Sequence, residues 1–112
     1  MKKFFVLFLS VTMLFSIYAS SVAQNSDGLQ LVSSKATSDN NFRYITGVVK
    51  NTGSQTYDTV YITFNLYDSS GSIVGNEIDT IHNFRPGATW RFKIMITEEA
   101  AVRFEFYSLS GD

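Results

Sequence analysis

Residues 60–66 alternate strictly between two kinds of side chain, and this pattern constrains the fold more than any other feature. The even positions carry Val, Ile, Phe and Leu, while the odd positions carry Tyr, Thr and Asn. A period of two is that of a β-strand with one face in a core and one face toward water. β-Branched and aromatic residues also suit a pleated, half-buried surface. Residues 57–67 are therefore predicted to form the central strand of a small all-β domain.

Turn-forming residues divide the rest of the chain into further short strands. These are predicted at 28–35, 42–50, 73–75 continuing through 77–84, 89–97 and 101–107. Six or seven short strands between turns are typical of an antiparallel sandwich or barrel. The first strand is predicted to lie at a sheet edge, and the polar residues 36–41 are predicted to form a loop. Residues 77–84 space their apolar side chains every third position, and we expect a strand with a bulge there.

Large aromatic side chains at even positions are predicted to fill a core between two sheets. The expected bulk of that core is Phe64, Trp90, Phe92, Phe104 and Phe106, with Val102 also pointing inward. Two alternations compete in the second strand, one through Tyr44 and one through Ile45, and the pattern leaves its inward set open. Gly47 indicates either a bulge or a close approach by a neighbouring strand.

Three connections are predicted from the chemistry of their residues. Residues 68–72 should close a hairpin, because Asp68 can bond the backbone two residues on and Gly71 accepts a positive φ. Residues 85–88 have the Pro-Gly pattern of a type II turn. Residues 98–101 are predicted to be a short turn, with one turn of helix as the alternative.

Residues 1–23 have the layout of a secretory signal peptide. Lys2 and Lys3 precede an apolar run over 4–19, and small residues end at a cleavage site after Ala23. The run is shorter than the roughly 20 residues of a spanning helix, so we expect cleavage and no membrane span afterwards. The predicted organisation is a signal peptide (1–23), a flexible leader (24–27), a β-sandwich domain (28–108) and a free tail (109–112). Export to the periplasm, the cell envelope or the medium follows as an expectation.

The charge balance and the missing cysteines exclude several classes of function. Without Lys2 and Lys3, the nine basic residues become seven against ten acidic ones, a formal charge of −3. Nucleic-acid binding requires a basic stripe, and no such partner is predicted. The absence of cysteine excludes thiol catalysis and cysteine-based metal sites. The domain must therefore be held together by packing and by sheet hydrogen bonds.

The titratable residues do not form a recognisable catalytic or metal-binding pattern. His82 is the single histidine, and with Glu77 and Asp79 it offers too few well-placed ligands for zinc. The 68–72 loop has one carboxylate, whereas calcium takes 6–8 oxygen ligands. The adjacent carboxylates Glu98 and Glu99 are interpreted as part of a solvated turn and not as an acid/base pair. We therefore expect a non-enzymatic domain with no catalytic residue, no metal and no cofactor.

Three tyrosines are the candidate binding residues. Tyr57, Tyr61 and Tyr67 all occupy odd positions of the central strand. If that face is exposed, the three rings lie along it, with Tyr57 and Tyr61 roughly 13 Å apart at ~3.3 Å per residue. Such a strip can stack on sugar rings or anchor a protein.

Three blocks of sequence carry a family resemblance. They are 47–53 (G-V-V-K-N-T-G), 64–68 (F-N-L-Y-D) followed by Gly71 and Gly75, and 83–87 (N-F-R-P-G) leading into Trp90. Their order and spacing over residues 42–97 resemble the FxLYD domain, a bacterial extracytoplasmic module. That family commonly has Leu where this chain has Phe84. The resemblance implies an immunoglobulin-like sandwich and assigns no catalytic residue.

The motif residues also have structural explanations of their own. Phe64 and Leu66 are expected to face the core, Tyr67 to cap the strand end and Asp68 to start the turn. The expected function is a secreted, non-catalytic interaction module for an unknown protein or polysaccharide. The alternative is a carbohydrate-binding module that uses the tyrosine strip on cell-wall or extracellular polysaccharide. An exposed sheet edge near 29–35 favours protein pairing, and an exposed aromatic strip favours carbohydrate.

Overall fold

The computed structural model describes residues 28–112, so the predicted signal peptide and leader lie outside the described residues. The strands are β1 (Leu29–Asp39), β2 (Phe42–Asn51), β3 (Tyr57–Tyr67), β4 (Ile73–Phe84), β5 (Thr89–Ile96) and β6 (Arg103–Gly111). Within this described part, no helix has the length and apolar character needed to cross a membrane.

The strands form two three-stranded antiparallel sheets that pack face to face, as predicted. One sheet has the order β1-β2-β5 and the other has the order β4-β3-β6. These orders match strands A-B-E and C′-C-F of a variable-type immunoglobulin sandwich, and residues 28–112 contain no counterparts of strands C″, D and G. The chain crosses between the sheets after β2, β4 and β5, so both sheets depend on one core.

β3 is the central strand of its sheet, and its even positions face the core as predicted. Val60, Ile62 and Phe64 are completely buried, and Leu66 is 1% exposed. The Phe64 ring lies 5.7–6.1 Å, centroid to centroid, from the rings of Phe92, Phe104 and Phe106. Edge-to-face and tilted ring pairs at this separation add to the energy of simple burial. The aromatic core predicted from the sequence is therefore confirmed.

β2 turns its odd positions inward, which decides the alternation that the sequence left open. Ile45 and Val49 are completely buried, while Tyr44 belongs to the outward set. At Gly47, a Cβ atom would lie 2.2 Å from the Ser33 carbonyl oxygen and 2.5 Å from the Phe92 ring. The close approach predicted at this glycine is confirmed, and no larger residue fits there without movement.

The first hairpin corrects the prediction of a loop at 36–41. β1 continues to Asp39 and pairs with β2 along its whole length, with a bulge between Leu31 and Ser33. Only Asn40 and Asn41 form the turn, with φ of 51° and 71°. Two consecutive positive φ values characterise a type I′ hairpin, whose twist matches that of the flanking strands. Polar composition alone therefore suggested a longer loop than the chain forms.

β6 corrects the prediction of a free tail at 109–112. The strand continues to Gly111, and Leu109 is buried. A bulge at residue 107 shifts the alternation by one, so Leu109 faces the core although Phe104 and Phe106 occupy even positions. Asp112 accepts from and donates to the backbone of β3.

The inward orientation predicted for Val102, the residue before β6, is wrong. Val102 was predicted to point inward but is 43% exposed, because it belongs to the turn and the strand begins at Arg103. Ala101 fills the inward position instead. The turn before it closes with a hydrogen bond from the Ala101 N–H to the Glu98 carbonyl, so it is a β-turn and not helical.

β4 is one continuous strand, which confirms strand over helix for 77–84. Its register shift lies at residue 74, opposite the end of β3, nearer the start of the strand than expected. Ile78 points outward and is 59% exposed, Ile81 packs partly on the core, and Phe84 is buried. Asn83 adopts a φ of 55°, and this local change lets Phe84 turn inward three residues after Ile81.

Candidate interaction surfaces

The predicted strip of three tyrosines does not exist, because Tyr57 is only 1% exposed. The alternation of β3 breaks near its start, so Tyr57 and Val60 both face the core. Gly111 makes room for the ring, since a Cβ atom there would lie 2.4 Å from it. Tyr57 is therefore a core residue, and its removal from the predicted site is a correction.

The other two tyrosines lie on the outer side of the sheet but do not form a continuous platform. Tyr61 is 38% exposed, and its hydroxyl lies 3.5 Å from the Asp112 carboxylate. Tyr67 is half-buried under the Arg103 guanidinium, whose carbon is 4.2 Å from the ring centroid. One face of Tyr67 is thus already occupied by the protein's own side chain.

The outer side of sheet β4-β3-β6 is rich in hydroxyl groups, and we call it the hydroxyl face. Its hydroxyl residues include Thr59, Tyr61, Thr63, Tyr67, Thr80, Ser108 and Ser110. Many of its polar groups bond to one another. Thr59 Oγ1 is 3.0 Å from His82 Nδ1, and Asn76 Nδ2 donates to Asn65 Oδ1 at 2.7 Å. These side chains stabilise the sheet surface, as cross-strand pairs commonly do.

The same face contains an ion pair. Arg103 and Glu105 lie on β6, with Nη1 and Oε2 2.9 Å apart. It is the one salt bridge within residues 28–112. The two opposite charges that β6 contributes to the hydroxyl face therefore neutralise each other.

The three titratable residues of β4 that could have formed a metal or catalytic cluster lie on opposite sides of the strand. His82 points outward and is exposed, whereas Glu77 and Asp79 are half-buried on the inward side. The Glu77 carboxylate accepts a hydrogen bond at 3.3 Å from the N–H of Thr97, the residue that follows β5. Within residues 28–112, no group of three or more His, Asp or Glu side chains could hold a metal ion.

The N-T-G block is a structural joint between the two sheets. Asn51 is completely buried at the end of β2, and its Nδ2 donates to the carbonyls of Gln55 (2.8 Å) and Phe84 (3.1 Å). Its Oδ1 accepts from the Gly53 N–H at 3.0 Å. Its carbonyl accepts from the Gly87 N–H. Every polar group of this side chain therefore has a structural partner, which excludes it from ligand contact.

The F-x-L-Y-D block is also structural, as its residues suggested. The Asp68 carboxylate accepts hydrogen bonds from the Ser70 hydroxyl at 2.8 Å and from the Ser70 and Ser72 N–H groups at 2.9 Å. These bonds, that of the Ser70 hydroxyl first, lower the pKa of Asp68 below its ordinary value. Gly71 takes a φ of 89° in the same turn. The type II turn predicted at 85–88 is likewise present, with Gly87 at a φ of 85°.

The outer side of sheet β1-β2-β5 has four exposed cationic side chains, and we call it the basic face. Its cations are Lys35, Lys50, Arg91 and Lys93. Lys35 and Lys93 flank Thr46 in one row across the sheet, Arg91 lies beside Val48 in the next row, and Lys50 lies in the third. The sequence placed Arg91 and Lys93 outward. Lys35 and Lys50 come from β1 and β2, so only the strand order shows that they share this face.

The edge strand β1 is exposed toward the hairpin tip. Within residues 28–112 it pairs only with β2, so its second edge has no partner strand. Ala36 lies opposite the inward residue Ile45 but is exposed, which shows that the opposite sheet does not cover this end. Lys35, Ser38 and Asp39 are exposed as well. The edge position predicted for the first strand is confirmed.

The comparisons with known proteins support the fold alone. No family model matches the chain, and no curated protein matches it. Among solved structures, the chain is similar to the 1.81 Å crystal structure of a DUF1425 family member from Shewanella sp. pv-4. That match has a TM-score of 0.55 at 15% identity and covers 75% of this chain and 78% of the other. The two chains share a β-rich sandwich.

Proposed function

We propose that this protein is an exported, non-catalytic interaction module that binds a protein partner by adding a strand to β1. The observation that supports it is the uncovered outer edge of β1 over residues 33–39. An extended peptide can add a strand to such an edge, with affinity from main-chain hydrogen bonds and specificity from alternate side chains. The FxLYD resemblance and the signal-like residues 1–23 support an extracytoplasmic location as part of the same proposal.

Several features make this end of β1 suitable for pairing. Ser33, Ala36 and Ser38 are small and exposed, so they leave the backbone accessible to an incoming strand. The bulge between Leu31 and Ser33 interrupts regular pairing before this stretch but not within it. Lys35 and Asp39 carry charges of the kind that protects edges, but the other five of the seven residues are uncharged.

A matched pair of proline variants tests this proposal. Consecutive N–H groups of a strand point to opposite edges, so Ala36→Pro and Thr37→Pro remove donors from opposite sides of β1. One variant breaks the β1–β2 ladder and lowers the melting temperature, and the other removes only a donor at the free edge. The partner is first captured by crosslinking from the envelope of the producing cell.

We expect the edge-directed variant to lose the crosslinked partner while it keeps a near-native melting temperature. Amide hydrogen exchange should also show new protection at 33–39 when the partner is added. A partner that binds both folded variants equally, without protecting this stretch, would contradict strand addition.

A further inference from the structure

We infer that the basic face binds an acidic polysaccharide, a sugar polymer that bears carboxylate, sulfate or phosphate groups at intervals. This inference goes beyond strand addition at the β1 edge and concerns the outer side of the whole sheet, which shares Ser33 and Lys35 with that edge. It also differs from the carbohydrate site predicted at the tyrosines, because here the cations carry the recognition.

The cations of the basic face have no anionic partner within the described residues. The ion pair in residues 28–112 lies on the other sheet, between Arg103 and Glu105. Lys35, Lys50 and Arg91 are exposed, and the Lys93 ammonium lies over the Tyr44 ring, 4.3 Å from its centroid. The formal charge of the described chain is nevertheless negative. A sheet face with four uncompensated positive charges on such a domain is electrostatically complementary to an anion.

The spacing of these charges fits a polymer better than a compact anion. Arg91 and Lys93 are two residues apart on β5, about 7 Å between Cα atoms at ~3.3 Å per residue. Lys35 and Lys93 are two strands apart, about 10 Å at ~4.8 Å per strand. Charges at such intervals on a flat sheet contact successive anionic groups of an extended chain.

The side chains between the cations suit a sugar polymer in particular. Gln30 and Thr89 flank Lys50, Ser33 shares the row of Arg91, and Thr46 lies between Lys35 and Lys93. Hydroxyl and amide groups that alternate with cations complement a ligand whose hydroxyl groups alternate with anionic groups. Direct contact of this kind confers specificity for sugar acids over polymers that carry only charge.

An anionic membrane fits this surface less well. The exposed apolar residues Phe42 (51%) and Met95 (41%) lie at the hairpin end of the face. Asp39 pairs with Phe42 at this end, and Glu98 and Glu99 follow β5. These carboxylates are repelled by anionic headgroups beside Phe42 and Met95, the side chains that would have to insert at this end.

Two charge-matched double variants test the inference. Each is expressed as the full chain and purified in the form that the producing cell yields. Arg91→Gln/Lys93→Gln removes two charges from the basic face, and Arg85→Gln/Arg103→Gln removes two from elsewhere. Binding to immobilised alginate and polygalacturonate is measured at low salt, with neutral dextran, polyaspartate, single-stranded DNA and phosphatidylglycerol vesicles alongside. The conservative variant Arg91→Lys/Lys93→Arg keeps the charge and checks that the face itself is intact.

The expected result is binding to at least one acidic polysaccharide that weakens with salt. It should fall about tenfold in the face double variant and stay within about twofold in the control variant and the conservative variant. Equal losses in the two Gln double variants would show a net-charge effect and overturn the inference. No binding to either acidic polysaccharide, or tighter binding to vesicles, DNA or polyaspartate, would overturn it as well.

Discussion

The two outer faces of the sandwich differ in how their polar groups are satisfied. On the hydroxyl face, Thr59 contacts His82, Asn65 accepts from Asn76, and Arg103 pairs with Glu105. On the basic face, four cations are exposed without any carboxylate partner in the described chain. A surface whose groups bond each other has less to gain from a ligand, whereas unpaired charges do gain from one. The comparison favours β1-β2-β5 as the sheet for the inferred binding, even though the whole chain is slightly acidic.

The largest effect should come from the core that both faces share. Phe64→Ala removes a fully buried ring that contacts three others, and the expected loss is about 3–5 kcal/mol of unfolding free energy. Ile78→Ala on the hydroxyl face is the control, because Ile78 is 59% exposed, and it should cost less than about 0.5 kcal/mol. Urea denaturation measures both. A loss below about 1 kcal/mol for Phe64→Ala would contradict one common core.

A slightly smaller effect separates the two tyrosines that the sequence placed on one face. Tyr57→Ala should lower the unfolding free energy by about 3 kcal/mol, because the ring is 1% exposed and packs on Gly111. Tyr61→Ala should cost less than about 0.5 kcal/mol, since that ring is on the surface. Equal and small losses in the two variants would restore the predicted strip and remove the distinction between core and hydroxyl face.

The joint between the sheets is expected to matter next. Asn51→Ala removes the donor for the Phe84 carbonyl and the acceptor for the Gly53 N–H, and it should cost about 2 kcal/mol. Thr52→Ala is the neighbouring control, because its hydroxyl bond to the Gly28 carbonyl is exposed, and about 0.5 kcal/mol is expected. Thermal unfolding of the two variants gives the comparison. A tolerated Asn51→Ala would mean that the sheets hold their relative position without this residue.

The smallest effect is a pH dependence of stability, and it comes from the 68–72 turn between β3 and β4. The pKa of Asp68 is lowered by its hydrogen bonds, so the ionised form stabilises the fold at neutral pH, and this contribution is lost as the pH falls below the ordinary value of 3.8. Asp68→Asn should therefore melt slightly below wild type at pH 7, and the difference should shrink in acid. Asp39→Asn, in the other hairpin, is the control. A difference that stays constant from neutral to acidic pH would show that the carboxylate charge plays no part.

Local patterns predicted the core face of β3 from Val60 onward and two of the turns well, because these depend on neighbouring residues. The alternation of Phe64 and Leu66, the turn at Asp68 and the type II turn before β5 are all confirmed. The errors arose where polar residues continue a strand, as at 36–39 and 108–111, or where the alternation breaks, as at Tyr57. Composition does not reveal pairing that tertiary contacts impose.

The basic face could be predicted only in part for a related reason. Arg91 and Lys93 share one strand, so their common side follows from the pleat. Lys35 and Lys50 are far away in sequence, and only the order β1-β2-β5 brings them beside the other two. The negative net charge of the chain also gives no indication of a basic face, because most of the acidic residues lie in turns and on β4.

The most direct measurement of the difference between the faces is a titration of the ¹⁵N-labelled protein with alginate fragments at low salt. Amide shifts are followed for both sheets at once. The account predicts that the shifts concentrate on β1, β2 and β5, with Lys35, Lys50, Arg91 and Lys93 among the most affected, and that the hydroxyl face stays unchanged. Shifts centred on Tyr61 and Tyr67 instead, or spread evenly over both faces, would contradict it.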